Sequence, residues 1–192
     1  SSQSRGLGDV YKRQIITGAS QSYTGKFNWG ITTSQAYLPA DHEFLFHDSI
    51  SLVDWLRKYA KTEEEKEEVF LRGFLGKMLF SGDEALKKSN VLSGGEKVRC
   101  MLSKMMMQRA NVLLLNEPTN HLDLESITAL NNSLKNFKGT LLCSTSDNTF
   151  SQTLGNRIIE LTPNGVIDRY MSFDEYMTDQ KIKELQSKMR IK

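Results

Sequence analysis

Cysteine is scarce in this chain: Cys100 and Cys143 are the two among 192 residues, and they form no CxxC pair. That argues against a disulfide framework and places the expected setting in a reducing, cytoplasmic compartment. Histidine is scarce too, and His42, His47 and His121 make no metal-ligand pattern with the cysteines, so no metal-thiolate site is expected. No apolar run approaches the roughly 18 to 20 residues that a membrane span needs. No charged-then-apolar secretory leader is present either. The net charge of +2 is too small to mark a nucleic-acid binder by itself, which would need a clustered basic patch. What is present is ordinary for a soluble globular protein: 39% hydrophobic and 25% charged residues, in a length sufficient for one domain with a sizeable core.

Residues 1–14 stand apart. They show little apolar periodicity and run abruptly into Ile15. Asp9–Gln14 resembles the translation of a transposon-end adapter used in DNA sequencing libraries. Residues 1–14 are therefore expected to be a non-native leader, with a disordered native tail as the other possibility, and are set aside from fold reasoning. On the first reading, the native protein begins upstream.

From Gly25 to Pro39 apolar and polar residues alternate, with Phe27, Trp29 and Ile31 on one side, which predicts a strand or hairpin ending before Pro39. Ile50, Val53, Trp55 and Leu56 recur at helical spacing behind Asp48 or Ser49 as N-cap. Thr62 is expected to cap a second helix whose acidic first turn complements the helix dipole and which turns apolar at Val69, Phe70, Phe74, Leu75, Met78 and Leu79. Ser93–Ala110 reads as a glycine turn feeding a helix with a stripe of Val98, Met101, Leu102, Met105 and Met106, the methionines filling core gaps. Asn111–Asn116 is a short apolar run expected to be a buried strand. A helix capped by Asp123, a second buried strand at Thr140–Thr145, a hairpin turning at Asn164–Gly165 and a lysine-rich helical end follow. Strands alternating with helices predict an α/β fold with a parallel sheet, with a helical insertion over about residues 48–90.

Two motifs carry chemistry. In LSGGE, Leu92–Glu96, two glycines bring backbone N–H groups close to a ligand because no Cβ intervenes. A helix begins there, and its free N–H groups and dipole favour an anion. By itself the same turn also serves as a simple helix cap. About twenty residues on, LLLNEPTNHLD delivers Asn116 and Glu117 at the C-terminal end of a buried strand, where ligand sites of α/β sheets lie. Glu117 is placed to orient or deprotonate an attacking water, as phosphoryl transfer to water requires.

LSGGE followed by LLLNEPTNHLD resembles the ATP-binding cassette ATPases. The form EPTNHLD looks like the ABC-F branch, which carries two cassettes in one chain, has no membrane domain and acts on ribosomes. The resemblance runs from Ile15 to about Tyr176. WLRKYA, RGFLGKMLFSGDEALKK and NRIIELTPNGVIDRY look like the second cassette of a bacterial member. It implies a partial nucleotide-binding domain over residues 15–178 with a helical tail at 179–192. ATP and Mg2+ are the implied cofactors; a second cassette and the ribosome, with its rRNA and tRNA, are the implied partners. Ser93, Gly94, Gly95 and Glu96 match the signature motif, which contacts the γ-phosphate of ATP held by the opposite cassette. Gln35 matches the glutamine that senses magnesium and the attacking water, or is an exposed polar residue beside a strand. Asn116 sits at the magnesium-holding Walker B position, and Glu117 matches the catalytic glutamate. Asn120–Asp123 matches the loop that crosses between cassettes, with Asn120 and Asp123 on the nucleotide side; His121 is assigned no metal. Ser146 occupies the switch position.

Three departures from the family matter. No G-x-x-x-x-G-K-[ST] occurs; Gly18–Lys26 has the wrong spacing and position, so the phosphate cradle is expected to lie upstream of the chain. Asn116 replaces an aspartate and brings no negative charge to a metal that favours carboxylates. Ser146 replaces a histidine and lacks the imidazole that would reach the γ-phosphate. Losing one such transition-state contact costs about 10²–10³ in rate, and losses within one acting unit do not simply multiply. The alternatives are a nucleotide-binding subunit of a membrane transporter, a non-catalytic pseudo-cassette, and a chromosome-maintenance or repair ATPase. The last is disfavoured because long heptad arms are missing.

Overall fold

The computed structural model describes residues 24–39, 42–120 and 122–190. The leader at 1–14, the start of the Gly18–Lys26 stretch and His121 lie outside them.

Apolar residues three and four apart build a helical layer. Helix α1 spans Leu52–Arg57, α2 Glu63–Lys66, α3 Glu68–Lys77 and α4 Gly94–Met107. Leu52, Trp55, Leu56, Leu71, Leu75, Met78, Cys100 and Met101 are buried between them. The Trp55 ring stacks on Phe46 with centroids 4.7 Å apart, and its indole N–H donates to the Leu45 carbonyl at 2.7 Å. The expected caps Asp48 and Ser49 are not used. Ser51 caps α1, accepting from the Asp54 N–H at 3.1 Å. The reason is tertiary: Leu52 N–H donates to the Lys87 carbonyl and Ser89 N–H to the Ile50 carbonyl, which holds residues 50–52 extended and delays the helix. Thr62 caps α2 as expected, but the helix is interrupted at Glu67. Val69, expected in the apolar face, is 85% exposed. At about 100° per residue it stands some 200° from Leu71, on the far side of α3.

Beside this layer lies a parallel sheet of β1 (Gln35–Tyr37), β2 (Val112–Asn116) and β3 (Thr140–Ser144), in that order. In β2 the run Val112–Leu115 is buried throughout, as a strand covered on both faces requires. β3, expected to be buried, is half exposed, and Leu142 is 40% exposed. It is an edge of the sheet, as β1 is on the other side: among the described residues it pairs with β2 alone. The alternating stretch from Phe27 to Ile31 is exposed and irregular, not a strand or hairpin. Of the whole segment, Gln35–Tyr37 pairs with β2, and no described strand lies beside the rest.

Asn111 ties the base of the sheet. Its side chain accepts from Ser34 N–H and donates to the Thr32 carbonyl, both at 2.8 Å, while its carbonyl accepts from Thr140 N–H at 2.8 Å. Gly139 is required here: a Cβ on it would stand 2.3 Å from the Asn111 carbonyl oxygen. Helix α5 (Leu124–Lys135) connects β2 to β3, and α6 (Asn148–Leu154) leads to an antiparallel hairpin of β4 (Ile158–Thr162) and β5 (Gly165–Arg169). The hairpin forms as expected but turns one residue earlier than Asn164–Gly165: Pro163 and Asn164 make the loop, and Gly165, at φ +138°, already pairs with Thr162 in β5. Helices α7 (Phe173–Thr178) and α8 (Gln180–Arg190) complete the chain through a small core of Ile167, Tyr176 and Ile182. The fold class is the one expected, mixed α/β around a parallel sheet. The stretch at 48–90 holds α1–α3 and short 3-10 turns.

Candidate functional site

Two turns hold most of the candidate residues. The first starts α4. Ser93 is its N-cap: the hydroxyl accepts from Glu96 N–H at 3.3 Å, and the Glu96 carboxylate accepts from Ser93 N–H at 2.8 Å, a reciprocal capping box. The second Glu96 oxygen is bound to the Lys87 ammonium at 2.6 Å. Burial alone would raise the Glu96 pKa, but Lys87 and Ser93 outweigh it and hold the carboxyl below its usual range. Glu96 thus has both oxygens committed to shaping the turn. Ser93 and Gly94 remain exposed at the tip, and a Cβ on Gly94 would meet nothing within 4 Å. Backbone approach there is open to a ligand on an α-helix of 14 residues.

The second turn ends β2. The strand register places Asn116 opposite Ser144, and Glu117 extends the ladder by donating its N–H to the Ser144 carbonyl at 2.7 Å. Glu117 then adopts φ +44°, a left-handed conformation that a residue with a Cβ rarely takes and that concentrates at functional sites. Ser146 holds its side chain. The Ser146 N–H donates to Glu117 Oε2 at 3.0 Å and the Ser146 hydroxyl donates to the same oxygen at 3.1 Å. Oε1 has no hydrogen-bond partner among the described residues. Asp147 fixes the segment from behind: its side chain caps α6 by accepting from Phe150 N–H at 3.0 Å, and its N–H donates to Thr145 Oγ1 at 3.0 Å.

Asn116 is half-buried beside this pair, and its amide makes no hydrogen bond among the described residues. Asn120 is exposed, and its N–H donates to the Glu117 carbonyl at 3.1 Å. Asp123 is the α5 cap: its carboxylate accepts from Ser126 N–H at 2.8 Å, and that contact with Ser126 holds its pKa below the usual range.

Gln35 is not brought here. It starts β1 in register with Val112, four residues before Asn116, about 13 Å away along the strand. Its amide donates to Thr33 Oγ1 at 2.7 Å. The sequence pattern found a glutamine next to a strand but not which end of the strand it marks. The chain that does leave β1 at the Asn116 end runs Leu38–Pro39 and on to Ala40 and Asp41, the latter two outside the described residues. Lys87 was also missed. Nothing in the eight residues between it and Glu96 signals the contact, which depends on the turn before α4. No hydrogen bond or ion pair among the described residues joins the Ser93–Glu96 turn to the Glu117–Ser146 pair.

As a metal site the second turn is incomplete by itself. Among the described residues no group of three His, Cys, Asp or Glu could hold an ion. One carboxylate and one amide fit a magnesium ion that arrives with nucleotide phosphates, which supply further oxygens. No helix among the described residues is long and apolar enough to cross a membrane.

Residues 14–120 match the family model described as ABC transporter. The chain is 58% identical over 172 residues to the uncharacterized ABC transporter ATP-binding protein YkpA of Bacillus subtilis (strain 168), a match covering 89% of this chain and 32% of that protein. It is 34% identical over 119 residues to ABC transporter F family member 2 of Arabidopsis thaliana, covering 60% of this chain and 18% of the relative. The chain thus spans a third or less of the curated relatives it matches. Among solved structures it resembles the complex of archaeal ribosomal stalk protein aP1 and archaeal ribosome recycling factor aABCE1. The TM-score is 0.65 at 20% identity, covering 96% of this chain and 41% of that one.

Proposed function

This chain belongs to the ABC transporter family of ATP-binding proteins, and on that premise we propose that it is part of the second cassette of an ABC-F type translation factor. It contributes two separate halves of ATP sites. The Ser93–Gly95 tip meets the γ-phosphate of a nucleotide held by a second cassette. Glu117 is the carboxylate that receives the proton of the attacking water at the chain's own site. The observation that carries this is the double donation from Ser146 to one oxygen of Glu117, which leaves the other free at the end of a strained turn. The separation of the two turns supports a site composed from two cassettes.

Bound ATP would supply the phosphoanhydride, and a magnesium ion carried with it would neutralise phosphate charge. Asn116 would face the ion through its amide oxygen, and Glu117 would orient the water. Ser146 keeps Glu117 in place but has no imidazole to reach the phosphate, and Asn116 adds no charge. The cis site is therefore a weak one. The reading in which the phosphate cradle belongs to a longer parent is supported by open strand edges: β1 and β3 each pair with β2 alone, and the β4–β5 hairpin pairs with no further strand among the described residues. Residues 15–178 are the cassette in this proposal, 48–90 its helical subdomain and 179–192 its tail. The location is cytoplasmic, on ribosomes; the F-family name of one relative and the ribosomal title of the structural neighbour support that.

The test is ATP hydrolysis by the purified chain beside a Glu117→Gln control. Both are expected at background, and turnover well above the control overturns the weak cis site. The name of the Bacillus relative favours a second reading, a subunit of a membrane transporter. Gradient sedimentation of the native parent separates the two: migration with ribosomes supports the translation factor, and migration with membrane vesicles supports the transporter.

A further inference from the structure

The base of the sheet carries a groove that the nucleotide chemistry does not use. It opens at the N-terminal end of β2 and β3, beside Asn111 and Gly139, whereas Asn116, Glu117 and Ser146 lie at the C-terminal end. The C-terminal parts of α3, α4 and α5 converge there around a volume of about 620 Å3. Leu113 and Leu134 form a buried floor, and Phe74, Met106 and Phe137 stand half-buried along the walls. Lys77, Arg109 and Lys138 line the rim, and among the described residues no carboxylate lines the groove. Lys77 and Lys138 have no acidic partner among the described residues. Arg109, two-thirds exposed, reaches Glu65 at 4.0 Å. Arg109 also sits at φ +52°, so the turn that presents it is held in an uncommon conformation.

We propose that this groove is a docking site for an acidic amphipathic peptide segment of a partner protein. Charge complementarity selects the occupant. Three cations around an apolar trough, with no opposing acid in the lining, favour a chain whose leucine or phenylalanine side chains enter the trough while its aspartates and glutamates meet the rim. Methionine walls accommodate varied apolar side chains. A nucleic-acid strand fits less well. Successive bases would need successive aromatic faces, but the Phe74 ring is already covered by the Lys77 ammonium, 4.7 Å from its centroid, which leaves the half-buried Phe137 as the one other ring in the lining.

The test uses a short fluorescent peptide with leucine and phenylalanine on one helical face and glutamates around it, and a matched peptide with lysines in place of the glutamates. The acidic peptide is expected to bind the chain by anisotropy and the basic one not to. Lys77→Glu combined with Lys138→Glu should weaken binding by about tenfold, while Lys181→Glu, exposed on α8, should leave it unchanged. Methionine-methyl NMR of the unaltered chain gives a readout independent of any variant: the Met106 resonance should shift on titration and that of Met177 on α7 should not. Equal binding of both peptides, an unmoved Met106 signal, or full affinity in a folded double variant would overturn the proposal. So would displacement of the peptide by a single-stranded RNA oligonucleotide at lower concentration.

Discussion

Helix α4 and strand β2 follow one another in the chain and present the two turns that matter, yet they are supported in opposite ways. The tip of α4 is secured by its neighbours: Ser93 and Glu96 satisfy each other three residues apart, and the helix behind them buries Cys100 and Met101 in a layer with Leu71 and Leu75. The tip of β2 is secured from a distance. Glu117 is held by Ser146, 29 residues on, through an edge strand whose outer side is open. A capping box forms wherever a helix starts with those residues, so its cost is local and small. A carboxylate at φ +44° persists only while β2 and β3 stay in register. The stable turn suits a passive phosphate contact, and the dependent turn suits a group whose position must answer to the rest of the site.

The sharpest way to break that contrast is to remove packing from each side. Leu75→Ala in the buried layer should cost about 3 kcal/mol, and Leu142→Ala on the open edge less than about 1 kcal/mol. Chemical denaturation of the two variants should therefore separate widely; equal losses would mean that the edge is as well supported as the layer. Next in size is Asn111→Ala, which removes both side-chain bonds to the β1 segment at an expected cost of about 1.5 kcal/mol. Hydrogen exchange should show faster opening of β1, while β3, tied through the Asn111 backbone carbonyl, and α4 change little. Ser93→Ala should cost about 1 kcal/mol, the usual value of a lost N-cap, and leave exchange at Leu115 unchanged. The smallest effect is on pH. The Glu96 carboxyl is held below its unfolded value near 4.5, so its contribution is present above that pH and is lost as the pH falls through the folded pKa. Below about pH 4.5 the stability of the wild-type chain should therefore fall more steeply with pH than that of Glu96→Gln, which is less stable near neutral pH and has no such contribution to lose. An identical pH profile in the two would show that the Lys87–Glu96 pair adds no stability.

The legible parts share one property: their signals lie within a few residues. Thr62, Ser93 and Asp123 are helix caps read from a polar side chain and the N–H three positions later. The β2 run and the existence of the β4–β5 hairpin are equally local, although its turn falls at Pro163–Asn164, one residue before the expected one. The misread parts depend on what faces them. Phe27, Trp29 and Ile31 alternate like a strand but meet no described ladder. The start of α1 moves to Ser51 because residues 87–89 hold the preceding chain extended. Gln35 sits at the wrong end of β1 for the site, which only the register with Val112 shows.

Composition, periodicity and caps by themselves determined an α/β chain with a glycine-tipped helix and a buried strand ending in Asn116 and Glu117. These follow from interactions between residues close in sequence, whose geometry the backbone supplies. Tertiary structure alone decided that Ser146 grips Glu117, that Lys87 completes the Ser93 turn, that Gln35 is excluded, and that a basic-rimmed groove opens at the base of the sheet. Each of these needs segments that meet through strand register and helix packing, and no short window of sequence encodes which distant partner will arrive.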